Sequence, residues 1–221
     1  FWVEDKPFRW EDAIIYQVLL DRFAGDQDLE STSPGRSPGE RHGGHLAGVL
    51  RHLRAGYFES LGANVLWLSP LYANPDGLWT GVEGGEKRYS SYHGYWPVHP
   101  REIDERLGTS DQLETLVTEA HRRGIRVLVD VVPNHIHSEH VYQTKHPEWT
   151  ADSGCICGAQ DCPWWREIAT CWFTPYLPDI DWSAPGVLTQ SVDDMLWWMK
   201  RFNLDGLRID AVPMIPDFVT R

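Results

Sequence analysis

The sequence predicts an α/β protein with the architecture of a (β/α)8 barrel, or TIM barrel, of which the 221 residues would supply about the first four βα units. Three observations support this prediction. Strand-like and helix-like segments alternate along the chain, as they do in successive parallel βα units. The strand-like segments are mostly apolar along their length, which indicates a sheet that is covered on both faces. Three of the four predicted strands are followed by side chains that can do chemistry, and barrel enzymes carry their chemistry at these carboxyl ends.

The first half of the chain predicts two strands separated by a loop and a helix. The β-prone apolar run 13–20 predicts the first strand, and a loop rich in glycine, serine and proline follows over residues 25–44. Apolar residues at helical spacing then predict a helix, namely Leu46, Val49, Leu50 and Leu53. The run 64–68 predicts the second strand.

The second half predicts two further strands and a long insertion between the third strand and the next helix. Thr109 and Gln112 form a capping box that starts a helix, and Gly124 is placed to end it before the third strand, 126–132. About fifty residues without periodicity follow, too many for an ordinary connection. The next helix has an apolar stripe that comprises Val192, Leu196 and Met199. The fourth strand is predicted at Gly206–Ile209.

These elements divide the chain into three parts. Residues 1–132 would form the first part of the barrel with strands one to three, residues 133–184 a loop-rich inserted domain, and residues 185–221 the third barrel helix and the fourth strand. A doubly wound open sheet is the competing architecture. It is disfavoured because no glycine-rich phosphate-binding fingerprint follows the first strand, where Asp21 and Arg22 stand instead.

The composition argues against two classes of partner. The chain has 32 acidic and 20 basic residues and no basic groove with interleaved aromatic residues, so no nucleic-acid partner is expected. No apolar run approaches the length of a membrane span, so no membrane partner is expected. The 12 tryptophans are many for this length, and they can serve either as packing or as flat platforms for sugar rings.

Four short segments near the predicted strand ends resemble motifs of one enzyme family, the α-amylase family of glycoside hydrolases. They are YHGYW at 92–96, DVVPNH at 130–135, LPDID at 177–181 and GLRID at 206–210. Members of this family fold as (β/α)8 barrels and act on α-glucosidic bonds with retention of configuration. The resemblance therefore implies a retaining glycosidase of the α-amylase type that acts on α-1,4-glucans such as starch, glycogen and maltooligosaccharides.

The resemblance also implies roles for individual residues. Asp210 would be the nucleophile that attacks the anomeric carbon, and Arg208 would keep it ionised and oriented. Four further residues would form the binding site for the sugar being cleaved: His93, Tyr95, Trp96 and His135. The histidines would exchange hydrogen bonds with sugar hydroxyls, the tyrosine would offer its ring face, and the tryptophan would pack nearby. Asp130 is expected to be a structural carboxylate that orders the strand end.

Asn134 and Asp179 match positions that bind a structural calcium ion in many members of the family, between the barrel and the inserted domain. Hard oxygen ligands from two segments suit Ca²⁺. Ordinary hydrogen bonding within the loops is the alternative role for both side chains. The resemblance therefore implies Ca²⁺ as a structural cofactor.

Four cysteines lie within the predicted insertion: Cys155, Cys157, Cys162 and Cys171. Their spacing, C-x-C-x4-C-x8-C, differs from the paired C-x2-C pattern of many zinc sites. If the parent protein is exported, two disulfides are expected, with three possible pairings, and a secreted or periplasmic location is favoured. Zinc binding is the second interpretation and free thiols are the third.

The resemblance is incomplete in two places. Pro213 and Met214 stand where true α-amylases usually carry Lys-His, which bears on recognition of the leaving group. The general acid of a retaining glycosidase is expected after a fifth strand, beyond Arg221, so residues 1–221 alone are expected to be inactive. Two alternatives follow: a related α-glucan or disaccharide transglycosylase or isomerase, similar to trehalose synthase, and a non-catalytic glucan-binding relative.

Overall fold

A computed structural model of the chain describes residues 7–25, 37–81, 86–152, 154–157 and 162–220. The strands in this part are β1 (Ile15–Val18), β2 (Val65–Leu68), β3 (Trp79–Thr80), β4 (Arg88–Tyr89), β5 (Arg126–Val131) and β6 (Gly206–Ile209). The α-helices are α1 (Leu20–Phe23), α2 (Leu46–Arg54), α3 (Tyr57–Ser60), α4 (Ser110–Arg122), α5 (Val141–Lys145) and α6 (Val187–Phe202). Short 3₁₀ helices lie at Trp10–Asp12, Pro147–Trp149, Val212–Met214 and Asp217–Val219.

Four of the strands form one parallel sheet in the order β1, β2, β5, β6. Val18 of β1 lies opposite Leu68, Leu68 lies opposite Val129, and Val129 lies opposite Leu207. The carboxyl ends of all four strands therefore share one edge of the sheet, where the residues that follow them gather. This topology confirms the predicted order of four parallel strands.

Helices α2 and α4 pack against each other and help to form the core. Helix α4 begins with the predicted capping box, because Gln112 N–H donates to Thr109 Oγ1 at 3.3 Å and Thr109 N–H donates to Gln112 Oε1 at 2.9 Å. From these two helices, the fully buried side chains include Leu46, Leu53, Leu113 and Leu116. The apolar stripe that predicts α2 is thus the face that this helix buries, and α4 likewise buries one apolar face.

Helix α6 forms where a helix is predicted, but of its predicted apolar stripe only Met199 packs against the core. Val192 and Leu196 are 39% and 41% exposed, whereas Trp198 and Phe202 are buried in the core. The two buried aromatic residues are four positions apart and therefore share one side of the helix. Trp198 Nε1 also donates to Pro100 O at 2.8 Å, which joins α6 to the loop before α4. The larger aromatic side chains thus decide which face is buried.

The residues between β5 and α6 form little regular structure, in agreement with their lack of periodicity. Their described part contains α5, one 3₁₀ helix and isolated bridges, among them a bridge between His135 and Asp179. Trp149, Trp182 and Val187 form a second, smaller apolar cluster. Because Asp179 pairs with a residue that closely follows β5, this segment returns to the carboxyl edge of the sheet.

The outer edges of the sheet differ from its centre. Ile15 of β1 is 50% exposed, and all four residues of β6 are half-buried, whereas β2 and β5 are mostly buried. Within the described ranges, no further strand pairs with the outer side of β1 or β6. Among the same residues, no helix combines the length and the apolar character needed to cross a membrane.

Candidate active site

A cleft of about 430 Å³ opens at the carboxyl edge of the sheet. Residues from all four of the resembling segments line it, namely Tyr95, Trp96, His135, Leu177 and Asp210. Further walls come from the β3–β4 hairpin and the segment before α6, through Lys87, Tyr89, Phe173 and Tyr176. The fold therefore gathers distant parts of the chain around one carboxylate, Asp210.

Arg208 joins two carboxylates beside this cleft. It shares one face of β6 with the side chain of Asp210, because side chains alternate along a strand. Arg208 Nη1 donates to both oxygens of Asp130 at 3.1 Å and to Oδ1 of Asp210. Burial lowers the pKa of Arg208, but its contacts with Asp210 and Asp130 outweigh burial and raise that pKa above the ordinary value. Arg208 therefore stays cationic and orients the Asp210 carboxylate.

The backbone takes up a rare conformation directly after Asp210. Ala211 has a φ of 53°, in the left-handed region that residues with a Cβ seldom adopt. Asp210 N–H donates to Val131 O at 2.9 Å, which fixes this turn against the end of β5. Rare backbone conformations of this kind cluster at functional sites, where the surrounding structure holds them in place.

Asp130 is a fully buried carboxylate that holds the neighbouring side chains in position. Tyr95 OH donates to Asp130 Oδ2 at 2.8 Å and Trp67 Nε1 donates to the same oxygen at 3.0 Å, in addition to the two bonds from Arg208. Burial raises the pKa of Asp130 to about 6, although the bonds from Tyr95 and Arg208 lower it. Four donated bonds occupy the oxygens of Asp130, which is the arrangement expected of a structural carboxylate.

His93 and His135 flank Tyr95 from two different loops. The pKa of His93 is lowered to about 3, mainly by burial. Burial also lowers the pKa of His135. Tyr95 N–H donates to His93 Nδ1 at 3.0 Å, so Nε2 is the donor of that neutral ring. His135 Nε2 donates to Tyr95 O at 2.9 Å, and Asn134 Nδ2 lies 3.4 Å from His135 Nδ1. His135 therefore lines the cleft with a ring that protein groups already orient.

Gly94 makes the turn that presents Tyr95 and Trp96 to the cleft. Its φ is 87°, and a Cβ at this position would lie 2.3 Å from Pro70 O, so only glycine fits. Trp96 N–H donates to Asn74 Oδ1 at 2.9 Å, and the residue is 8% exposed. Both aromatic rings thus have fixed positions at the cleft wall.

Sequence reasoning missed four aromatic residues of this site, namely Trp67, Tyr89, Phe173 and Tyr176. Trp67 of β2 donates to Asp130, and the Arg208 guanidinium lies 4.7 Å from the centroid of its ring. A lone indole in an aliphatic strand was a usable signal, because a buried Trp N–H needs a partner. Phe173 and Tyr176 line the cleft from the insertion, where no periodicity marks them.

The predicted calcium ligands, Asn134 and Asp179, lie side by side and are both buried. Asn134 Nδ2 donates to Asp179 Oδ1 at 3.0 Å, whereas Asn134 Oδ1 is buried and has no hydrogen-bond partner among the described residues. Burial raises the pKa of Asp179 to about 8, against the lowering effect of the Asn134 bond. An orphaned amide oxygen beside a buried carboxylate fits a hard cation such as Ca²⁺.

The cysteines depart from the predicted pair of disulfides. Cys155 Sγ stands at bonding distance from both Cys162 Sγ and Cys171 Sγ, and Cys157 is a free thiol. One sulfur can join only one disulfide, so these three cysteines can form one such bond at most. The structure therefore does not show the two disulfides that are expected of an exported protein, and the state of the four cysteines stays a prediction.

Comparisons with known proteins show which family the chain resembles. The family model "Alpha amylase, catalytic domain" matches residues 17–154. Alpha-amylase 3 of Schizosaccharomyces pombe is 30% identical over 95% of this chain and 38% of that protein. The periplasmic alpha-amylase of Escherichia coli is 38% identical over 58% of this chain and 20% of that protein.

A solved structure shows the same relationship at the level of the fold. The alpha-amylase of Geobacillus thermoleovorans, complexed with acarbose, superimposes with a TM-score of 0.77 and 30% identity over 96% of this chain and 43% of that chain. The chain thus spans about two fifths of the length of the alpha-amylases from Schizosaccharomyces pombe and Geobacillus thermoleovorans. On the family match and the shared fold, the chain belongs to the α-amylase family of glycoside hydrolases.

Proposed function

We propose that this chain carries the nucleophile of a retaining glycoside hydrolase that acts on α-1,4-glucans such as starch, glycogen and maltooligosaccharides. The observation that carries the proposal is the arrangement of Arg208 between buried Asp130 and cleft-lining Asp210. A carboxylate held by a cation at the edge of an open cleft is available to a substrate. The alpha-amylases among the relatives support the same chemistry.

In the proposed reaction, Asp210 attacks the anomeric carbon while the bond from that carbon to the leaving oxygen breaks. A carboxylic acid on the other side protonates the leaving oxygen, and a covalent glycosyl-enzyme results. The same group then takes a proton from water as the water attacks, which releases Asp210 and a sugar of retained configuration. Asp130 does not suit the acid role, because its oxygens accept bonds from Tyr95, Trp67 and Arg208.

Neutral histidines and aromatic rings would bind the sugar next to Asp210. His93 would donate from Nε2 to a hydroxyl, since its Nδ1 already accepts the Tyr95 N–H. Tyr95 would offer its ring face, and Trp96 would support this wall of the cleft. Because both histidines have lowered pKa values, they would stay neutral hydrogen-bonding groups throughout the neutral pH range.

The four parallel strands would be half of a (β/α)8 barrel whose other strands and general acid come from outside residues 1–221. The partly exposed β1 and half-buried β6 suit strands that pair with further strands. We assign residues 1–132 and 185–221 to this barrel and residues 133–184 to a domain inserted after β5. The coverage of 43% of the Geobacillus structure supports a chain that supplies part of a longer fold.

The configuration of the products released from soluble starch tests the proposal. The full-length protein that carries this chain is expected to release reducing sugar whose first-formed anomeric carbon has the α configuration, because two displacements restore the original geometry. Proton NMR of the earliest products measures the anomer. Products of β configuration would contradict Asp210 as a nucleophile. Transfer products without net hydrolysis would instead favour the transglycosylase or isomerase, and binding without turnover the non-catalytic relative.

Calcium removal is expected to destabilise the protein. If Asn134 Oδ1 and Asp179 bind Ca²⁺, a chelator should lower the melting temperature of the full-length protein. Added calcium should restore that temperature, because calcium at 100 times its Kd stabilises the folded state by about 2.7 kcal/mol. Differential scanning fluorimetry measures both shifts. An Asp179→Asn variant should melt at one temperature with or without calcium. A wild-type melting temperature that changes with neither chelator nor calcium would contradict the proposed calcium site.

A further inference from the structure

Three cysteine side chains converge in the segment before α6. The sulfur atoms of Cys155, Cys162 and Cys171 all lie within 4.8 Å of one another, and Cys162 Sγ and Cys171 Sγ are 3.7 Å apart. Cys155 and Cys171 are buried, at 8% and 1% exposure. A disulfide uses two sulfurs, so any pairing leaves the third thiol packed against the bond. Three converging sulfurs are three of the four ligands that a tetrahedral zinc site such as Cys₃His uses.

The backbone holds two of these cysteines together independently of any bond between sulfurs. Trp172 N–H donates to Cys155 O at 3.0 Å, and Cys157 N–H donates to Trp172 O at 2.8 Å. Cys171 N–H donates to Glu167 O at 2.9 Å, within the turn that follows Cys162. The peptide framework therefore brings the cysteine side chains into one place, as a preformed ligand set requires.

We propose that Cys155, Cys162 and Cys171 form a structural zinc site. Zinc binds thiolate sulfur at about 2.3 Å in a tetrahedral arrangement, which separates two ligand sulfurs by roughly 3.8 Å. The Cys162–Cys171 separation of 3.7 Å already matches this value. Cys155 Sγ lies closer to both and would have to draw back to make room for the ion. Each thiol releases its proton as it binds, and no oxidant is needed.

The zinc site would fix one wall of the cleft. Cys171 precedes Trp172 and Phe173, and the Phe173 ring lies 5.2 Å from the ring of His135 and lines the cleft with Asp210. This consequence for substrate binding rests on the proposed function, whereas the metal site itself does not. Loss of zinc should therefore raise KM for starch more than it lowers kcat, since Phe173 would act in binding.

Metal analysis and cysteine mapping test the site without any mutation. Full-length protein purified without chelator or reductant is expected to hold about one zinc ion per chain, released as a mercurial titrates the thiols. After denaturation with a chelator, Cys155, Cys162 and Cys171 should all react with an alkylating reagent without prior reduction. Peptides in which any two of these cysteines are joined by a disulfide, in protein free of zinc, would overturn the proposal.

Two serine variants assign the ligands. Cys171→Ser should lose zinc and the charge-transfer absorption that Co²⁺ gives when bound by thiolates. Cys157→Ser is the matched control, because Cys157 lies outside the cluster of three sulfurs, and it should keep zinc at wild-type stoichiometry. Zinc retained by both variants, or lost from both, would contradict the three-cysteine site. If Cys171→Ser does not fold, the wild-type metal and cysteine analysis decides alone.

Discussion

Replacement of Asp210 by asparagine in the full-length protein is expected to abolish starch hydrolysis and to leave starch binding nearly unchanged. An amide cannot form the covalent bond to the anomeric carbon, so kcat should fall by about 10⁴-fold or more, on the scale seen when a nucleophile is removed. The introduced amide keeps one oxygen that can accept the bond from Arg208, so the cleft should keep its shape. Stopped assays of reducing sugar and a starch-affinity gel measure the two effects separately.

Asp193→Asn provides a matched control for this experiment. Asp193 is an exposed carboxylate on α6, and it has no place in the cleft. The same change of acid to amide should therefore leave kcat and starch binding at their wild-type values. Starch hydrolysis by the Asp210→Asn variant at the wild-type rate would contradict the assignment of Asp210 as the nucleophile. Equal loss of binding and turnover would instead assign Asp210 a role in binding.

Arg208→Ala is expected to damage both stability and activity. It would leave the fully buried Asp130 carboxylate without its cation, and removal of one partner of a buried ion pair costs about 3–5 kcal/mol. The loss should lie at the lower end of this range, because 34% of the Arg208 side chain is exposed and solvent weakens the pair. Activity should fall as well, since Asp210 loses the group that orients it. Urea unfolding and starch assays measure these changes.

A double variant separates the two effects of Arg208. Asp130→Asn removes the buried charge, so Arg208→Ala combined with Asp130→Asn should regain much of the stability that Arg208→Ala loses. It should not regain activity, because Asp210 remains without its arginine. A double variant that is no more stable than Arg208→Ala would show that the buried charge is not the cause of the loss.

The sequence predicted the parallel sheet well because its strands leave a strong physical signal. The runs 64–68 and 126–132 are mostly apolar, and β2 and β5 lie there in the centre of the sheet. The β3–β4 hairpin was missed, because strands of two residues are too short to show periodicity. The buried face of α6 was misjudged, because aliphatic spacing gave no weight to Trp198 and Phe202.

Only those residues of the candidate site that belong to the four motif segments were predicted from the sequence. Arg208 stands on β6 and Asp210 directly follows this strand, where alternation places both side chains on one side, and the structure gives them that relation. Phe173 and Tyr176 belong to a segment whose path follows from tertiary contacts and not from local pattern. The pairing of the cysteines was equally beyond the sequence, because spacing alone does not fix which sulfurs meet.

The proposal that Asp210 forms a covalent glycosyl-enzyme can be tested by trapping that intermediate. A fluorinated maltosyl donor with a good leaving group should react once with the full-length protein, because the fluorine slows the second displacement more than the first. Mass spectrometry of a proteolytic digest then locates the added sugar. We predict that the label lies on the peptide that contains Asp210 and that Asp210→Asn takes up none. A label on Asp130 or on another carboxylate, or an unlabelled but active wild-type protein, would contradict the account.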